Sequence, residues 1–110
     1  MKITTHVLDT ARGVPAKGIA ISLYRIDDRE RVPLGNATTN ADGRTDAPLA
    51  ETLGAACYEL TFGVSTYFAT QGTVAFYDEI TVRFLIDDPN QNYHVPLLLS
   101  PWGYSTYRGS

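Results

Sequence analysis

The chain has 110 residues, 44% of them hydrophobic and 19% charged, with a formal net charge of -3. That composition fills the core of one domain and excludes a disordered chain. The nine basic residues form no stripe for a nucleic-acid groove, one cysteine permits no intrachain disulfide, and no apolar run approaches the roughly 20 residues that span a bilayer.

No apolar h-region follows Met1-Lys2, so no signal peptide is expected. The expected compartment is the reducing cytoplasm, or the periplasm had a leader been removed. Residues 1–110 read as a single domain without repeats or linkers.

Ile3 to Asp9 is rich in β-branched residues and reads as a strand. Alternation puts Thr4, His6 and Leu8 on one face and Ile3, Thr5 and Val7 on the other. Gly13, Pro15 and Gly18 mark a loop. Ile19 to Ile26 is a second strand, Asp27 to Glu30 a charged turn, and Arg31 to Thr39 a weaker strand with Pro33 near its start. Asn40-Ala-Asp-Gly-Arg44 has turn chemistry, and Arg44 leaves the turn where a loop can aim it. Pro48 to Gly54 looks irregular.

Cys57 to Val64 is a strand with Tyr58, Leu60 and Phe62 on the apolar face and Cys57, Glu59 and Thr61 opposite. Ser65 or Thr66 is expected to cap one short helix that Gly72 ends. Glu79 to Asp87 alternates most clearly of all. Asp87 to Asn92 is a turn, Tyr93 to Ser100 a strand, Pro101-Trp-Gly103 a tight turn, and Tyr104 to Arg108 a last short strand. Trp102, Tyr104 and Tyr107 give the last residues too much apolar surface for a frayed tail. Seven or eight short strands with regular turn signals predict a Greek-key β-sandwich.

Candidate chemistry is sparse. His6 and His94 lie on the first and the penultimate strands, which are often neighbours in such a sandwich, so their imidazoles can converge. Each alone reads more readily as a hydrogen-bonded strand residue than as a site residue. Asp9 and Asp46 could join them at a metal, but no spacing demands it. Cys57 has no nucleophile signature, and the acidic pairs Asp27-Asp28, Asp78-Glu79 and Asp87-Asp88 read as solvation. No nucleophile elbow or phosphate loop is present. The residues by themselves support a His/Arg/His cluster beside an ordered C-terminal segment, without naming a substrate.

Four motifs go further. Thr5-His-Val-Leu-Asp-Thr10, Asn40-Ala-Asp-Gly-Arg44, His94-Val-Pro-Leu-Leu-Leu-Ser100 and Tyr107-Arg-Gly-Ser110 resemble the 5-hydroxyisourate hydrolases, the transthyretin-related proteins of purine catabolism. The resemblance spans the chain, and the terminal tetrapeptide separates the hydrolases from transthyretin itself. It implies an all-β transthyretin-like (prealbumin-like) sandwich of two four-stranded sheets with one short α-helix. It implies a homotetramer, a dimer of dimers with sites at the dimer–dimer interface, and no cofactor or metal. His6, Arg44, His94 and Ser110 take the catalytic positions by this resemblance, and His6, Arg44 and Tyr107 the substrate-binding ones. Arg108 belongs to the tetrapeptide too, without an assigned substrate contact. The implied reaction opens the N1–C6 amide of 5-hydroxyisourate with water activated by the His6/His94 pair, His6 preferred as base, and Arg44 stabilising the oxyanion. The alternative is a transthyretin-type carrier of a small ligand in the same channel, since fold does not decide function.

Overall fold

A computed structural model describes all 110 residues. The strands are β1 (Lys2–Asp9), β2 (Val14–Pro15), β3 (Ala20–Asp27), β4 (Glu30–Thr38), β5 (Ala50–Glu51), β6 (Ala56–Gly63), β7 (Glu79–Ile86), β8 (Tyr93–Leu99) and β9 (Tyr104–Thr106), with one helix, α1 (Val64–Ala69). Two sheets face each other, as the sandwich reading requires. One runs β4-β3-β6-β7. The other runs β2-β1-β8-β9, and β5 adds to the start of β1. The two-residue strands β2 and β5 fall in stretches read as loop and as irregular. Each pairs over only two positions of β1, too short for alternation to register.

The inner faces explain the strands. Ile3, Val7, Ile21, Leu23, Tyr58, Leu60, Phe62, Ile80, Val95, Leu97 and Leu99 lie in one buried cluster of 18 residues. In β1 the buried set is Ile3, Thr5, Val7 and Asp9, while Thr4, His6 and Leu8 are half-buried on the outer face. β4 pairs with β3 through a bulge at Leu23/Tyr24, which suits an edge strand carrying Pro33.

Two expectations need correction, and one burial goes beyond them. The helix begins at Val64 with Gly63 as its N-cap and no side-chain cap. Ser65 instead donates to Asp78 Oδ1 at 2.8 Å, because the helix start is tied to the strand entering β7. The face of β6 opposite the core is itself covered at Glu59. Glu59 is only 1% exposed, because Arg31 of β4 and Arg83 of β7 fold over it and fork onto its two carboxylate oxygens. Burial pushes the Glu59 carboxyl up, and the hydrogen bonds from Arg31 and Arg83 outweigh it, holding the group below the usual range. The acidic pairs, finally, do more than solvate. Asp87 accepts from the Tyr93 hydroxyl at 3.1 Å and from the Asp88 amide at 2.9 Å.

The feature that matters most for function is the one parallel pairing, β1 against β8. It runs from Ile3↔Tyr93 to Asp9↔Leu99 and sets Thr4 opposite His94 and His6 opposite Pro96. Two segments 90 residues apart thereby share an outer face.

Candidate functional site

On that outer face the β1–β8 register places the two histidines two residues apart along neighbouring strands. Thr4 Oγ1 and His94 Nδ1 are 2.9 Å apart. Residues of period two, Lys2 with Thr4 and Asn92 with His94, point the same way. Together with Arg44 and Ser110 they line an open recess of about 390 Å³ that has no apolar lining side chain.

Arg44 is delivered by its turn. The Asn40 side chain accepts from the Asp42 amide at 2.9 Å and the Arg44 amide at 3.2 Å, and it donates to Asp46 at 3.0 Å. The turn docks on β1 because the Val7 amide donates to the Gly43 carbonyl at 2.8 Å. Gly43 has φ +74°, and a Cβ there would sit 2.3 Å from the Val7 carbonyl oxygen. Only glycine tolerates both the conformation and the approach.

The C-terminal segment closes the recess from another side. The Gly109 amide donates to the His94 carbonyl at 2.7 Å, forming an antiparallel bridge that brings Ser110 to the site. A Cβ on Gly109 would lie 2.5 Å from His94 Cδ2 and 3.2 Å from Cγ, so the segment passes beside the imidazole with no room for a side chain at this position. Arg108 is turned away. Its guanidinium stands 4.5 Å over the Tyr93 ring and donates to Gln91 at 2.8 Å.

The electrostatics favour a neutral His94. Burial is the main cause that holds its pKa below the ordinary histidine value, followed by the charges of Arg44 and His6, with the Thr4 backbone acting the other way. His94 Nε2 has no hydrogen-bond partner, and no buried side-chain nitrogen or oxygen lacks one, so Nε2 is open rather than enclosed.

The fold therefore brings Arg44, His94 and Ser110 around one recess, with His6 half-buried on the same face of β1. Tyr107 is placed elsewhere in the protomer. It is 57% exposed and borders a second, largely apolar recess with Val82, Phe84, Tyr93 and Val95. Asp9 is committed to the fold, accepting from the amides of Ala11 and Arg12 and from the Tyr67 hydroxyl. No three His, Cys, Asp or Glu side chains gather as a ligand set. Sequence reasoning passed over Lys2, Thr4, Asn92 and Gly109. The alternation that grouped Thr4 with His6 also holds for Lys2, and it extends to Asn92 beside His94, whereas the close passage of Gly109 beside the ring has no sequence signal.

No helix is long and apolar enough to cross a membrane. Residues 3–109 match the family model described as Transthyretin, the HIUase/Transthyretin family. A protein of Deinococcus radiodurans called 5-hydroxyisourate hydrolase is 53% identical, the alignment covering 98% of this chain and 95% of that one. The structure of Klebsiella pneumoniae 5-hydroxyisourate hydrolase superposes with a TM-score of 0.86 at 38% identity, covering all of both chains. A crystal structure of (S)-allantoin synthase superposes at 0.91 with 44% identity over 99% of this chain, which spans only 43% of that longer one.

Proposed function

Given that the chain belongs to the HIUase/Transthyretin family, we propose that it is a 5-hydroxyisourate hydrolase. The observation that carries this reading is the polar recess where Arg44, His94 and Ser110 meet. The reaction is hydrolytic opening of the N1–C6 amide. Water adds to the C6 carbonyl, the tetrahedral intermediate expels N1, and a proton reaches the leaving nitrogen. The product is 2-oxo-4-hydroxy-4-carboxy-5-ureidoimidazoline, on the route of urate to allantoin.

In this reading His94 takes the water proton on Nε2. His94 is preferred here over His6 as the base because it lines the recess and burial favours its neutral form. His6 is its partner on β1, placed to relay the proton toward the leaving nitrogen. Arg44 presents a planar fork to the substrate oxygens and stabilises the developing oxyanion. Ser110 orients the ring. Tyr107 stays a substrate-binding residue on the family resemblance alone. No step calls for a cofactor.

The proposal includes a homotetramer built as a dimer of dimers, with all of residues 1–110 as the hydrolase domain. Large exposed apolar side chains support self-association, among them Leu85 at 73%, Trp102 at 69% and Phe76 at 68% exposure. A cytoplasmic location rests on the sequence expectation only. The carrier reading is disfavoured by a recess lined with Lys2, Thr4, Arg44, Asn92, His94 and Ser110 and no apolar side chain, since small-ligand pockets are mostly apolar. The test generates 5-hydroxyisourate in situ with urate oxidase and follows its absorbance with and without this protein. Decay no faster than the spontaneous rate would sink the hydrolase reading.

A further inference from the structure

A histidine that accepts a proton through Nε2 must carry its own proton on Nδ1, and an imidazole in water does not hold that tautomer unaided. Something in the fold has to select it.

The only side chain bonded to the His94 ring is Thr4, with Oγ1 2.9 Å from Nδ1. The pair is fixed by the parallel ladder, where Thr4 and His94 are direct partners. The Thr4 hydroxyl has no other partner among the hydrogen bonds of the fold, so its lone pairs are free to accept. On the C-terminal side the segment runs close to the ring: a Cβ added at Gly109 would stand 2.5 Å from Cδ2 and 3.2 Å from Cγ. Nδ1 is thus held on the Thr4 side and Nε2 faces outward.

We propose that Thr4 is a positioning residue: its hydroxyl accepts from His94 Nδ1–H and thereby fixes the tautomer whose free Nε2 lone pair serves the site. Thr4 need not touch the substrate. It acts through His94, as a group bonded to the far nitrogen of a histidine commonly does. β-Branching suits the position twice, filling the strand and limiting χ1 so that the hydroxyl stays aimed.

The inference rests on the hydrolase reading for its kinetic arm, so the experiment carries a second arm that needs no turnover. Full-length protein labelled with ¹⁵N-histidine is compared as wild type, Thr4→Val and Thr4→Ser by long-range ¹H–¹⁵N correlation, which reports which ring nitrogen is protonated. Valine keeps the shape and β-branch and removes the hydroxyl; serine keeps the hydroxyl. Wild type and Thr4→Ser are expected to show His94 as the Nδ1–H tautomer, and Thr4→Val a shift toward Nε2–H. In the hydrolase assay kcat of Thr4→Val should fall about 10- to 100-fold with KM within about threefold, and Thr4→Ser should recover most of kcat. An unchanged tautomer in Thr4→Val, a wild-type proton on Nε2, or a tautomer shift with undiminished kcat would each overturn the inference. If even wild type fails to hydrolyse the substrate, the hydrolase reading falls, and the spectra alone decide the role of Thr4.

Discussion

Replacing Gly109 by alanine tests whether the C-terminal segment aligns the site histidine. The added methyl would stand 2.5 Å from His94 Cδ2, 3.2 Å from Cγ and 3.3 Å from Pro96 Cγ. Ordinary contact begins near 3.4 Å, so either the imidazole or the segment must retreat by about 1 Å. A displacement of that size at a reacting group costs on the order of a hundredfold in rate. Because Gly109 does not sit in the left-handed region, no backbone strain adds to the steric effect. If the segment lifts, the bond from the Gly109 amide to the His94 carbonyl goes too, a loss of about 1 kcal/mol in stability. Gly109→Ala should therefore lower kcat/KM for 5-hydroxyisourate about 30- to 100-fold while the melting temperature drops by only a few degrees. Gly103→Ala is the control, since a Cβ there meets only Ser100 Oγ at 3.9 Å. Wild-type activity in Gly109→Ala, with unmoved His94 resonances, would show that the segment does not align the imidazole.

Gly43→Ala should uncouple the Arg44 turn from β1, because the methyl would fall 2.3 Å from the Val7 carbonyl oxygen at φ +74°; we expect a loss of stability of about 1–3 kcal/mol by chemical denaturation and at least a tenfold loss in kcat/KM. His94 sets an acid limb for stability. Its folded pKa lies below the unfolded value of about 6.5, so the unfolded chain takes up the proton first, and the His94 contribution is lost as pH falls from about 6.5 toward the folded pKa; His94→Gln should flatten that part of a melting profile measured from about pH 5 to 8. The acid limb of kcat/KM should likewise lie below the ordinary histidine pKa. Glu59→Gln should destabilise the fold by about 1–2 kcal/mol at neutral pH, since one buried carboxylate holds two guanidinium forks. Glu59 has a lowered folded pKa, so its contribution is present above the unfolded pKa of about 4.3 and lost as pH falls through the folded one; the difference from wild type should shrink in parallel.

The residues legible in advance were those governed by alternation or turn chemistry. Ile80, Val82, Phe84 and Ile86 name β7, the Asn40–Arg44 turn forms as its side chains dictate, and the two faces of β1 fall as spacing predicts. The burial of Glu59 was not legible because alternation tells which face a residue is on and not what lies over that face; Arg31 and Arg83 come from strands on either side of it. The cap at Gly63 escaped because Ser65 found a tertiary partner in Asp78. At the candidate site, the convergence of His94 with the His6 strand was foreseeable from strand order. Tyr107 was grouped with Ser110 by motif, yet it borders a different recess, because Arg108 is anchored on Tyr93 and Gly109 on His94. Adjacency in sequence does not give adjacency in space where an extended chain points successive side chains apart.

The parallel ladder between β1 and β8 also imposes an order of events. Thr4 and His94 are 90 residues apart, so their pairing is among the most non-local contacts the chain makes. Non-local pairing is slow, because the entropy of closing a long loop is spent before the contact returns anything. On a ribosome adding about 5–20 residues per second, β1 waits roughly 5–20 s for β8 to be made. Throughout that interval the apolar face of β1, with Ile3 and Val7, has no ladder partner along most of its length. The recess cannot exist on a nascent chain, and catalytic competence in refolding should appear with the last cooperative phase rather than ahead of it.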